Sequence, residues 1–355
     1  MSLWSNMREV FTGAQGSGGT AQPNSAFSAP QPLWAVRELI ELGLLEIARQ
    51  PKNNDLDLSD RTLKRLFIFL IDHDYPGGSA AMHNAVFEAY NLPFRSCFMI
   101  GDPKRAEEIF TLLRRDPAYA GGGAGSGFKD KIASSLDGLA PSARIIGSVN
   151  VIAREGSEFV GHNTDGVGFV AGLLSEYPDC VAGRKVVILG AGGTALPIAY
   201  ELAKCAPKEI VICNRTVAKA DHIAGLIGSL ASARATGEGG IGNELAEAGL
   251  VVNTSNKGAQ PNEKFSAFAP MTGDVEGDMA VSLENLSKLP DEAIVADILL
   301  EDMPLTLKLA SARGVRTHSG RHMNLHQAVP AFKIITGQNK PDDEVLALMR
   351  AALRY

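Results

Sequence analysis

The sequence contains little of what marks a secreted, membrane-bound or metal-binding protein. Its four cysteines lack the spacing of a disulfide framework or a metal site, and we expect them to be reduced. Its seven histidines form no HExxH or Cys/His motif, so we expect no metal ion. No apolar run reaches the length that spans a membrane, and the first residues lack the layout of a signal peptide. These absences favour a cytoplasmic protein without a membrane partner.

The chain also lacks an excess of positive charge. The 355 residues carry a net charge of −6, which argues against nucleic acid as the main partner. Hydrophobic residues make up 45% of the chain, enough for a sizeable core, and the length suggests two domains or one large one. We therefore expect a globular protein whose partner is a small molecule.

The clearest pattern lies between residues 185 and 213. Residues 186–189 are wholly apolar and rich in β-branched side chains, as in a strand buried on both faces of a parallel sheet. A glycine-rich turn follows, then apolar residues at helical spacing and a second apolar strand at 209–213. This order predicts a strand–helix–strand unit with a glycine turn at its first junction.

The glycine turn predicts a phosphate-binding site, a turn without a ligand being the structural alternative. Glycine permits positive φ and lets a pyrophosphate approach the backbone, while the helix N-terminus offers free N–H groups. Ala195 holds the third glycine position of the G-x-G-x-x-G fingerprint, which tolerates alanine there. The predicted cofactor-binding residues of the turn are Gly190, Ala191, Gly192, Gly193 and Thr194.

The end of the second strand indicates which dinucleotide is bound. Folds specific for NAD usually place an acidic residue there, whereas this chain has Asn214, Arg215 and Thr216, with Lys219 one helical turn further on. A guanidinium, an ammonium group and a hydroxyl suit the 2′-phosphate of NADP, because arginine can bind a phosphate through two hydrogen bonds. We expect NADP rather than NAD, the alternative for Arg215 being a solvated surface side chain.

Elsewhere the chain alternates between strand-like and helix-like patterns, which favours an α/β fold. Strands are predicted at 65–72, 94–100, 250–253, 294–298 and 315–318, with a hairpin from 145–153 and 158–161. Helices are predicted at 33–50, 106–113, 128–136, 217–230 and 305–312. Two more are expected to begin at polar caps, one at Ser79 and one at the Asn163-Thr164-Asp165 triplet. Residues 320–355 are expected to form two helices with a break near 337–341. Irregular segments are expected at 13–32, 119–127 and 260–290.

Several motifs together resemble the shikimate dehydrogenase family. They are IGSVNVIA (146–153), GHNTDGVGF (161–169), the glycine turn, NRT (214–216) and GRHMNLHQAVPAF (320–332), in this order over roughly residues 65–340. The resemblance is closest to the divergent shikimate/quinate dehydrogenase-like branch. It implies reversible hydride transfer between NADP and the hydroxyl-bearing carbon of a polyhydroxylated cyclic carboxylate, within aromatic amino acid biosynthesis.

The resemblance implies that Lys129 and Asp165 are the catalytic pair flanking the reacting hydroxyl, with Lys131 as a competing assignment that fits the family spacing less well. The chemistry agrees, because oxidising an alcohol needs a base to take the hydroxyl proton while hydride leaves. An aspartate beside the lysine would hold its ammonium group and hydrogen-bond the same hydroxyl. The structural alternatives are a solvated lysine and a helix-capping aspartate.

Other site residues carry over from the family one at a time. The matches to substrate-binding positions are Ser79, Asn150 and Gln327. The matches to cofactor-binding positions are Asn253 and Thr254, in a loop under the cofactor, and Gly320 and Met323, near the nicotinamide.

The departures from the family fall on the substrate side. Gly77 stands where the family has a carboxylate-binding serine. Before the lysine, Gly123, Gly125 and Gly127 stand where the family has asparagine, threonine and proline, and Ser126 is a candidate to replace part of the threonine's role. Ala80 replaces a proline and Leu300 a tyrosine. Each lost hydrogen bond to a charged group costs about 1.5–3 kcal/mol. Three functions stay open: a shikimate or quinate dehydrogenase, an oxidoreductase acting on another cyclic polyol or amino analogue, and a non-catalytic NADP-binding protein whose glycine-rich loop is too flexible to hold the lysine.

The expected architecture is an N-terminal α/β substrate domain plus a Rossmann-type NADP-binding domain. The expected limits are an N-terminal extension at 1–60, the substrate-binding catalytic domain at 61–165, the Rossmann domain at 166–317 and C-terminal helices at 318–355 that return to the substrate domain. Domain closure over the cleft would exclude water from the chemistry. Assembly as a homodimer is left open.

Overall fold

The computed structural model describes residues 34–59, 65–125, 127–301 and 303–353, which form two β-sheets with helices packed on their faces. The expected two-part α/β architecture with a Rossmann-type sheet is confirmed. The predicted linker at 13–32 lies outside the described residues. The α-helices of the described part are α1 (Trp34–Glu41), α2 (Ser79–Ala89), α3 (Ala106–Leu113), α4 (Pro141–Ile146), α5 (Asp165–Glu176), α6 (Ala195–Ala203), α7 (Val217–Ile227), α8 (Ile241–Leu245), α9 (Val275–Ser287), α10 (Leu305–Ala312), α11 (Gly320–Thr336) and α12 (Asp342–Leu353).

The first sheet has seven strands and mixed directions. In chain order they are β1 (Leu45–Ile47), β2 (Arg65–Ile71), β3 (Phe94–Gly101), β4 (Tyr119–Ala124), β5 (Gly138–Leu139), β6 (Val151–Glu155) and β7 (Glu158–His162). Their spatial order is β1-β3-β2-β4-β6-β7-β5. Strand β2 runs parallel to both β3 and β4, while β6 and β7 form an antiparallel hairpin. The carboxyl ends of β2 and β4 therefore meet at one edge of this sheet.

The second sheet has six parallel strands. They are β8 (Lys185–Leu189), β9 (Glu209–Cys213), β10 (Ala233–Thr236), β11 (Ala248–Asn253), β12 (Ile294–Asp297) and β13 (Arg316–His318). The spatial order β10-β9-β8-β11-β12-β13 is the 3-2-1-4-5-6 order of dinucleotide-binding folds, in which the ligand lies where the order reverses, beyond the ends of β8 and β11. Strand β8 is buried on both faces, as the sequence predicts.

The glycine-rich segment expected to be irregular is a central strand instead. All six residues of β4 are buried between β2 and β6. A Cβ on Gly122 would collide with the carbonyl oxygen of Ile68, and one on Gly121 with that of Ile152. The glycines therefore allow close contact between neighbouring backbones, and composition alone gives the opposite impression of a flexible segment.

Other predicted elements also need correction. The helix predicted at 33–50 ends at Glu41, because Gly43 turns the chain with φ +66° into β1, which pairs with β3. The helix predicted at 128–136 is only a 3₁₀ turn at Ile132–Ser135, and the strand predicted from 145 is preceded by α4 and begins at Val151. Residues 260–290 contain α9, whose first turn is capped by the Asp274 carboxylate accepting from the Gly277 N–H. Since Leu33 is outside the described residues, the start of the first predicted helix is untested.

Helix α11 contacts the hydrophobic cores of both sheets. Near its start, Met323 packs into the core on one face of the second sheet. Further on, Val329 and Phe332 pack with Phe87 of α2 and Met349 of α12 beside the first sheet. The predicted break near 337–341 separates α11 from α12. No helix of the described part is long and apolar enough to cross a membrane.

Candidate active site

The five residues predicted for catalysis and substrate binding line one cavity. Its volume is about 240 Å³, and it lies between the carboxyl ends of β2 and β4, the start of α5 and the middle of α11. The predicted residues that it brings together are Ser79, Lys129, Asn150, Asp165 and Gln327. They come from five separate segments of the chain, so the fold, rather than any local motif, assembles them.

Lys129 and Asp165 form an ion pair in this cavity. The Lys129 Nζ lies 2.6 Å from the Asp165 Oδ2. The Asp165 side chain is only 3% exposed, whereas that of Lys129 is 34% exposed towards the open side. The pair therefore has a fixed buried carboxylate and an ammonium group that a ligand in the cavity can reach.

Asn150 fixes the orientation of the Asp165 carboxylate. Its Nδ2 donates to the Asp165 Oδ1 at 2.8 Å and to the Thr164 Oγ1 at 3.0 Å, while its Oδ1 accepts from the Thr164 backbone N–H. The Gln327 Oε1 lies 3.3 Å from the same Nδ2. One amide thus connects the start of α5 with α11, and both oxygens of the Asp165 carboxylate have partners.

Close packing of α5 against α11 brings Gln327 to the cavity. A Cβ on Gly168 would lie 2.5 Å from the Gln327 Cβ, and one on Gly172 would lie 3.2 Å from the His322 Cβ. The glycines of the GVGFVAG segment therefore let the two helix backbones approach. Asp165 is the first residue of α5, and its N–H donates to the Asn163 Oδ1. Among the described residues, the side chain of the N-cap residue Thr164 makes no capping hydrogen bond.

Lys129 is held by ordered backbone on both sides. The Gly125 N–H donates to the Leu70 carbonyl, and the Val149 N–H donates to that of Lys129. Phe128 beside it is fully buried. Gly125 is thus bonded to β2 and Lys129 to the segment before β6, which argues against a loop too flexible to hold the lysine. Ser126 lies outside the described residues.

Aromatic rings fill the space that the substituted glycines leave. A Cβ on Gly77 would lie 2.8 Å from the Phe98 Cζ, and one on Gly123 would collide with the Phe69 ring. The Phe69 and Phe98 ring centroids are 5.0 Å apart, and that of Tyr75 is 5.8 Å from Phe98. The substrate side is therefore walled by aromatic rings rather than left empty.

Ser79 differs from its predicted role in the helix. It is the first residue of α2, and the N-cap position is held by Gly78, where the described part of the chain shows no side-chain capping hydrogen bond. Its carbonyl instead lies 2.8 Å from the His83 Nδ1 one turn later. The hydroxyl of Ser79 is thus available to the cavity that it lines.

The sequence reasoning missed several residues of the cavity. His83 lines it and is completely buried, which lowers its pKa to about 4, so the ring is neutral near pH 7. Asn324 also lines it and accepts from the Gln327 Nε2 at 3.1 Å. The i, i+4 spacing from Ser79 to His83 and the i, i+3 spacing from Asn324 to Gln327 place each pair on one helix face, and these spacings were the available signals.

A second cavity, of about 530 Å³, lies beyond the carboxyl ends of β8 and β11. Eight predicted cofactor-binding residues line it: Gly190, Ala191, Gly192, Asn214, Arg215, Thr216, Lys219 and Thr254. Ser255, Asn256, Ile298 and Leu299 complete its walls, and the sequence did not single them out. Its position is the point where the strand order of the second sheet reverses.

Asn214 shapes the glycine turn. Its Oδ1 accepts from the Ala191 N–H at 3.1 Å, and its Nδ2 donates to the Thr216 carbonyl at 2.9 Å. Gly190 has φ +113°, and its N–H donates to the Cys213 carbonyl. Asn214 thus joins the two loops that form the cavity floor.

The far end of this cavity carries free positive charge. Arg215 and Lys219 are exposed, and within the described ranges neither side chain has an ion pair or hydrogen bond. Beside the cavity, in the glycine turn, a Cβ on Gly193 would meet no atom within 4 Å, so this part of the turn is open to a ligand. Open backbone for a pyrophosphate and two free cations for a further phosphate fit NADP.

The other predicted cofactor residues lie behind or beside the cavity wall. Gly193, Thr194, Asn253, Gly320 and Met323 are not among the residues that line either cavity. Asn253 is fully buried and donates to the Asp297 Oδ2 at 2.9 Å. Gly320 packs without a side chain against the Ile298 carbonyl, and Met323 belongs to the core of the second sheet.

The two cavities adjoin along the segment after β12. Leu299 lines the cofactor cavity, and its neighbour Leu300 lines the other. Asp297 anchors this segment by accepting from the Leu299 N–H at 2.9 Å. Burial raises the pKa of Asp297 to about 7, although the hydrogen bond from Asn253 opposes the shift.

The sequence and the structure both match known shikimate dehydrogenases. A family model described as shikimate / quinate 5-dehydrogenase matches residues 173–257. The shikimate dehydrogenase (NADP+) of Desulforamulus reducens is 31% identical over 287 residues, covering 78% of this chain and 91% of that protein. That of Alkaliphilus metalliredigens is 32% identical over 273 residues, covering 74% and 88%.

Two solved structures share the fold at similar coverage. The shikimate 5-dehydrogenase of Listeria monocytogenes, in complex with shikimate and NAD, has a TM-score of 0.69 and 25% identity over 81% of this chain and 96% of its own. The ligand-free 5-ketofructose reductase of Gluconobacter sp. strain CHM43 has a TM-score of 0.65 and 26% identity over 81% and 98%. Because this chain is more than 30% identical to such relatives and covers about nine-tenths of their length, it belongs to the shikimate dehydrogenase family.

Proposed function

We propose that this protein is an NADP-dependent oxidoreductase of the shikimate dehydrogenase type. It interconverts a hydroxyl and a carbonyl group on a cyclohexene or cyclohexane polyol carboxylate, such as shikimate or quinate. The observation that carries the proposal is the 2.6 Å Lys129–Asp165 pair in a cavity that adjoins a dinucleotide-type cavity. A proton-transfer pair beside a cofactor cleft is what the oxidation of an alcohol requires.

Lys129 exchanges the proton of the reacting hydroxyl in this mechanism. During reduction its ammonium group donates a proton to the forming hydroxyl, and during oxidation the neutral amine accepts that proton, while Asp165 holds and orients the ammonium form. Asn150 keeps Asp165 in place through its 2.8 Å hydrogen bond. Gln327 and Ser79, which also line the cavity, bind the remaining hydroxyl groups and the polar substituent of the ring.

NADP, when bound, supplies or accepts the hydride. The glycine turn from Gly190 to Thr194 would hold its pyrophosphate, and Arg215, Thr216 and Lys219 its 2′-phosphate. Thr254 fixes the turn by donating from its Oγ1 to the Gly190 carbonyl at 3.1 Å. Asn253, Gly320 and Met323 act by supporting the wall nearest the nicotinamide rather than by direct contact with the cavity.

A second candidate is an oxidoreductase of the same fold acting on a different cyclic polyol. It is favoured by the aromatic wall of Phe69, Tyr75 and Phe98, which stands where the family has polar side chains for the carboxylate. A relative of similar fold is a 5-ketofructose reductase, so a substrate without a carboxylate is within reach of this architecture.

The test is a substrate panel with both cofactors. Shikimate, quinate and uncharged cyclic polyols are each incubated with NADP+ and with NAD+, and formation of reduced nicotinamide is followed by absorbance. Reduction of NADP+ by shikimate or quinate supports the first candidate, and reduction by uncharged polyols alone supports the second. Binding of NADPH without turnover of any of them contradicts both.

We also propose a cytoplasmic location and the domain limits expected from the sequence, while assembly as a homodimer stays open. Four free thiols among the described residues suit a reducing, cytoplasmic setting. A homodimer would be seen as a doubled mass in light scattering. Two strands depart from the proposed limits of 61–165 and 166–317: β1 lies before residue 61 and pairs with β3, and β13 extends one residue beyond 317, to His318.

A further inference from the structure

A cluster of ionisable side chains lies away from both cavities, where α5 ends, β13 ends and α11 begins. The His318 Nδ1 lies 2.7 Å from the Glu176 Oε2, and the His322 Nδ1 lies 3.2 Å from the Oε1 of the same carboxylate. One ligand atom from each of these three residues lies within 4.8 Å of the other two. Two imidazoles and a carboxylate thus converge on one point.

The surroundings hold this cluster in place. His318 is fully buried, with its ring edge-on to Phe169 at 6.0 Å and to Tyr177 at 6.5 Å. The His322 ring lies 4.9 Å from it on the first turn of α11, where Gly172 leaves room for the His322 backbone. His318, on β13, is therefore held by its neighbours, while the Glu176 and His322 side chains are about one-third exposed and can adjust.

The residue types indicate a metal ion rather than a second catalytic site. Zn²⁺ is commonly bound by two histidines and one glutamate with water at the fourth position. Tetrahedral coordination at 2.0–2.1 Å needs ligand atoms roughly 3.3 Å apart, which small rotations of the two exposed side chains can reach. Those side chains also give solvent access to the fourth position.

We propose that Glu176, His318 and His322 bind one divalent transition-metal ion, with Zn²⁺ the best fit, which links the end of α5 to β13 and the start of α11. This runs against the expectation of no metal from sequence spacing. His318 and His322 are four residues apart, but Glu176 lies 142 positions before His318, so the spacing of the histidines alone does not reveal the third ligand. The proposal is independent of the proposed function, because no residue of either cavity takes part.

The experiment uses the full-length protein after removal of metal with EDTA. Zn²⁺ is titrated by calorimetry, Co²⁺ is added as a spectroscopic probe, and melting is followed with and without Zn²⁺. We expect one saturable site, visible Co²⁺ bands of a four-coordinate site and a rise in Tm of about 3–5 °C at a 100-fold excess over Kd. EDTA should reverse the rise.

Three variants locate the site. His322→Ala and Glu176→Gln should lose both the Tm rise and the Co²⁺ bands, while His222→Ala, which removes an exposed histidine of α7, should keep them. If Glu176→Gln does not fold, His322→Ala, at a one-third exposed position, still decides. Absence of saturable binding in the wild type, or retention of binding by His322→Ala, would overturn the proposal.

Discussion

The two cavities of the cleft are built in opposite ways. The cofactor cavity is formed mainly by backbone and by neighbours in sequence, with free cations at its exposed end. The substrate cavity is formed by side chains from separate segments, joined by the buried hydrogen bonds of Asn150 and walled by aromatic rings. The first should therefore tolerate most side-chain changes, while the second should depend on individual atoms.

The largest expected effect is in the substrate cavity. Replacing Lys129 with alanine should lower kcat by about 10²–10⁴-fold, because it removes the group that we propose exchanges the hydroxyl proton. Binding of NADPH, measured by fluorescence, should be unchanged. Lys131→Ala is the matched control, since this exposed lysine is two residues away. Normal turnover by Lys129→Ala would exclude it from the mechanism.

The second prediction compares two glycines. Gly122→Ala should lower the free energy of unfolding by about 3 kcal/mol or more, because its Cβ would strike the Ile68 carbonyl in the middle of the sheet. Gly193→Ala should change it by less than about 0.5 kcal/mol, because nothing lies within 4 Å. Urea unfolding measures both. Equal losses would mean that β4 is not as tightly packed as its neighbours indicate.

The third prediction concerns the exposed end of the cofactor cavity. Arg215→Ala should raise KM for NADP+ by about 10–100-fold, the value of one charge-assisted hydrogen bond, with little change in KM for NAD+. Arg115→Ala, an exposed arginine on the other part of the molecule, is the control. If both cofactors weaken equally, Arg215 supports the fold of the turn rather than the 2′-phosphate.

The smallest effect is expected where the cavities adjoin. Asp297 has a folded-state pKa of about 7, above its unfolded value, so its contribution to stability is complete below pH 4 and is lost as pH rises towards 7. This group can change the unfolding free energy by at most about 1.4 kcal/mol per pH unit. Asp297→Asn should flatten the stability profile between pH 5 and 7.

Asp291→Asn is the control for that profile, because Asp291 is 94% exposed. Urea midpoints at pH 5, 6 and 7 for the two variants and the wild type give the comparison. A wild-type slope that survives in Asp297→Asn would assign the pH dependence to another group with a raised pKa, such as the buried Asp116. His83 would not explain it, because its lowered pKa acts in the opposite direction.

Local patterns predicted the elements that depend on local order. Helices α3 and α10 have the predicted limits, because their apolar spacing is regular. The glycine turn and Asn214 could be found because a phosphate site needs consecutive residues. The Lys129–Asp165 assignment came from the family resemblance, since 36 residues separate the pair and no spacing rule joins them.

What the sequence did not reveal depends on contacts between distant segments. The glycines of β4 suggest flexibility until the carbonyl groups of the flanking strands are placed beside them. The substitutions at Gly77 and Gly123 suggest an emptied pocket until Phe98 and Phe69 are seen in the space. The Glu176 cluster joins residues 142 positions apart. Such features follow from topology, which residue spacing does not encode.

The passage of α11 along both sheets has a mechanical consequence. The chain leaves the first sheet through α5 and returns to it through α11, and these two helices pack against each other along their glycine face. Because these two connections between the sheets lie side by side, they can act as one hinge. A rotation of one sheet relative to the other about this hinge would change the width of the cleft without breaking either connection. Pro330 within α11 lacks a backbone N–H, so it weakens the helix among the residues that line the substrate cavity. A bend at this proline would let the C-terminal helices stay packed on the first sheet while the second sheet turns.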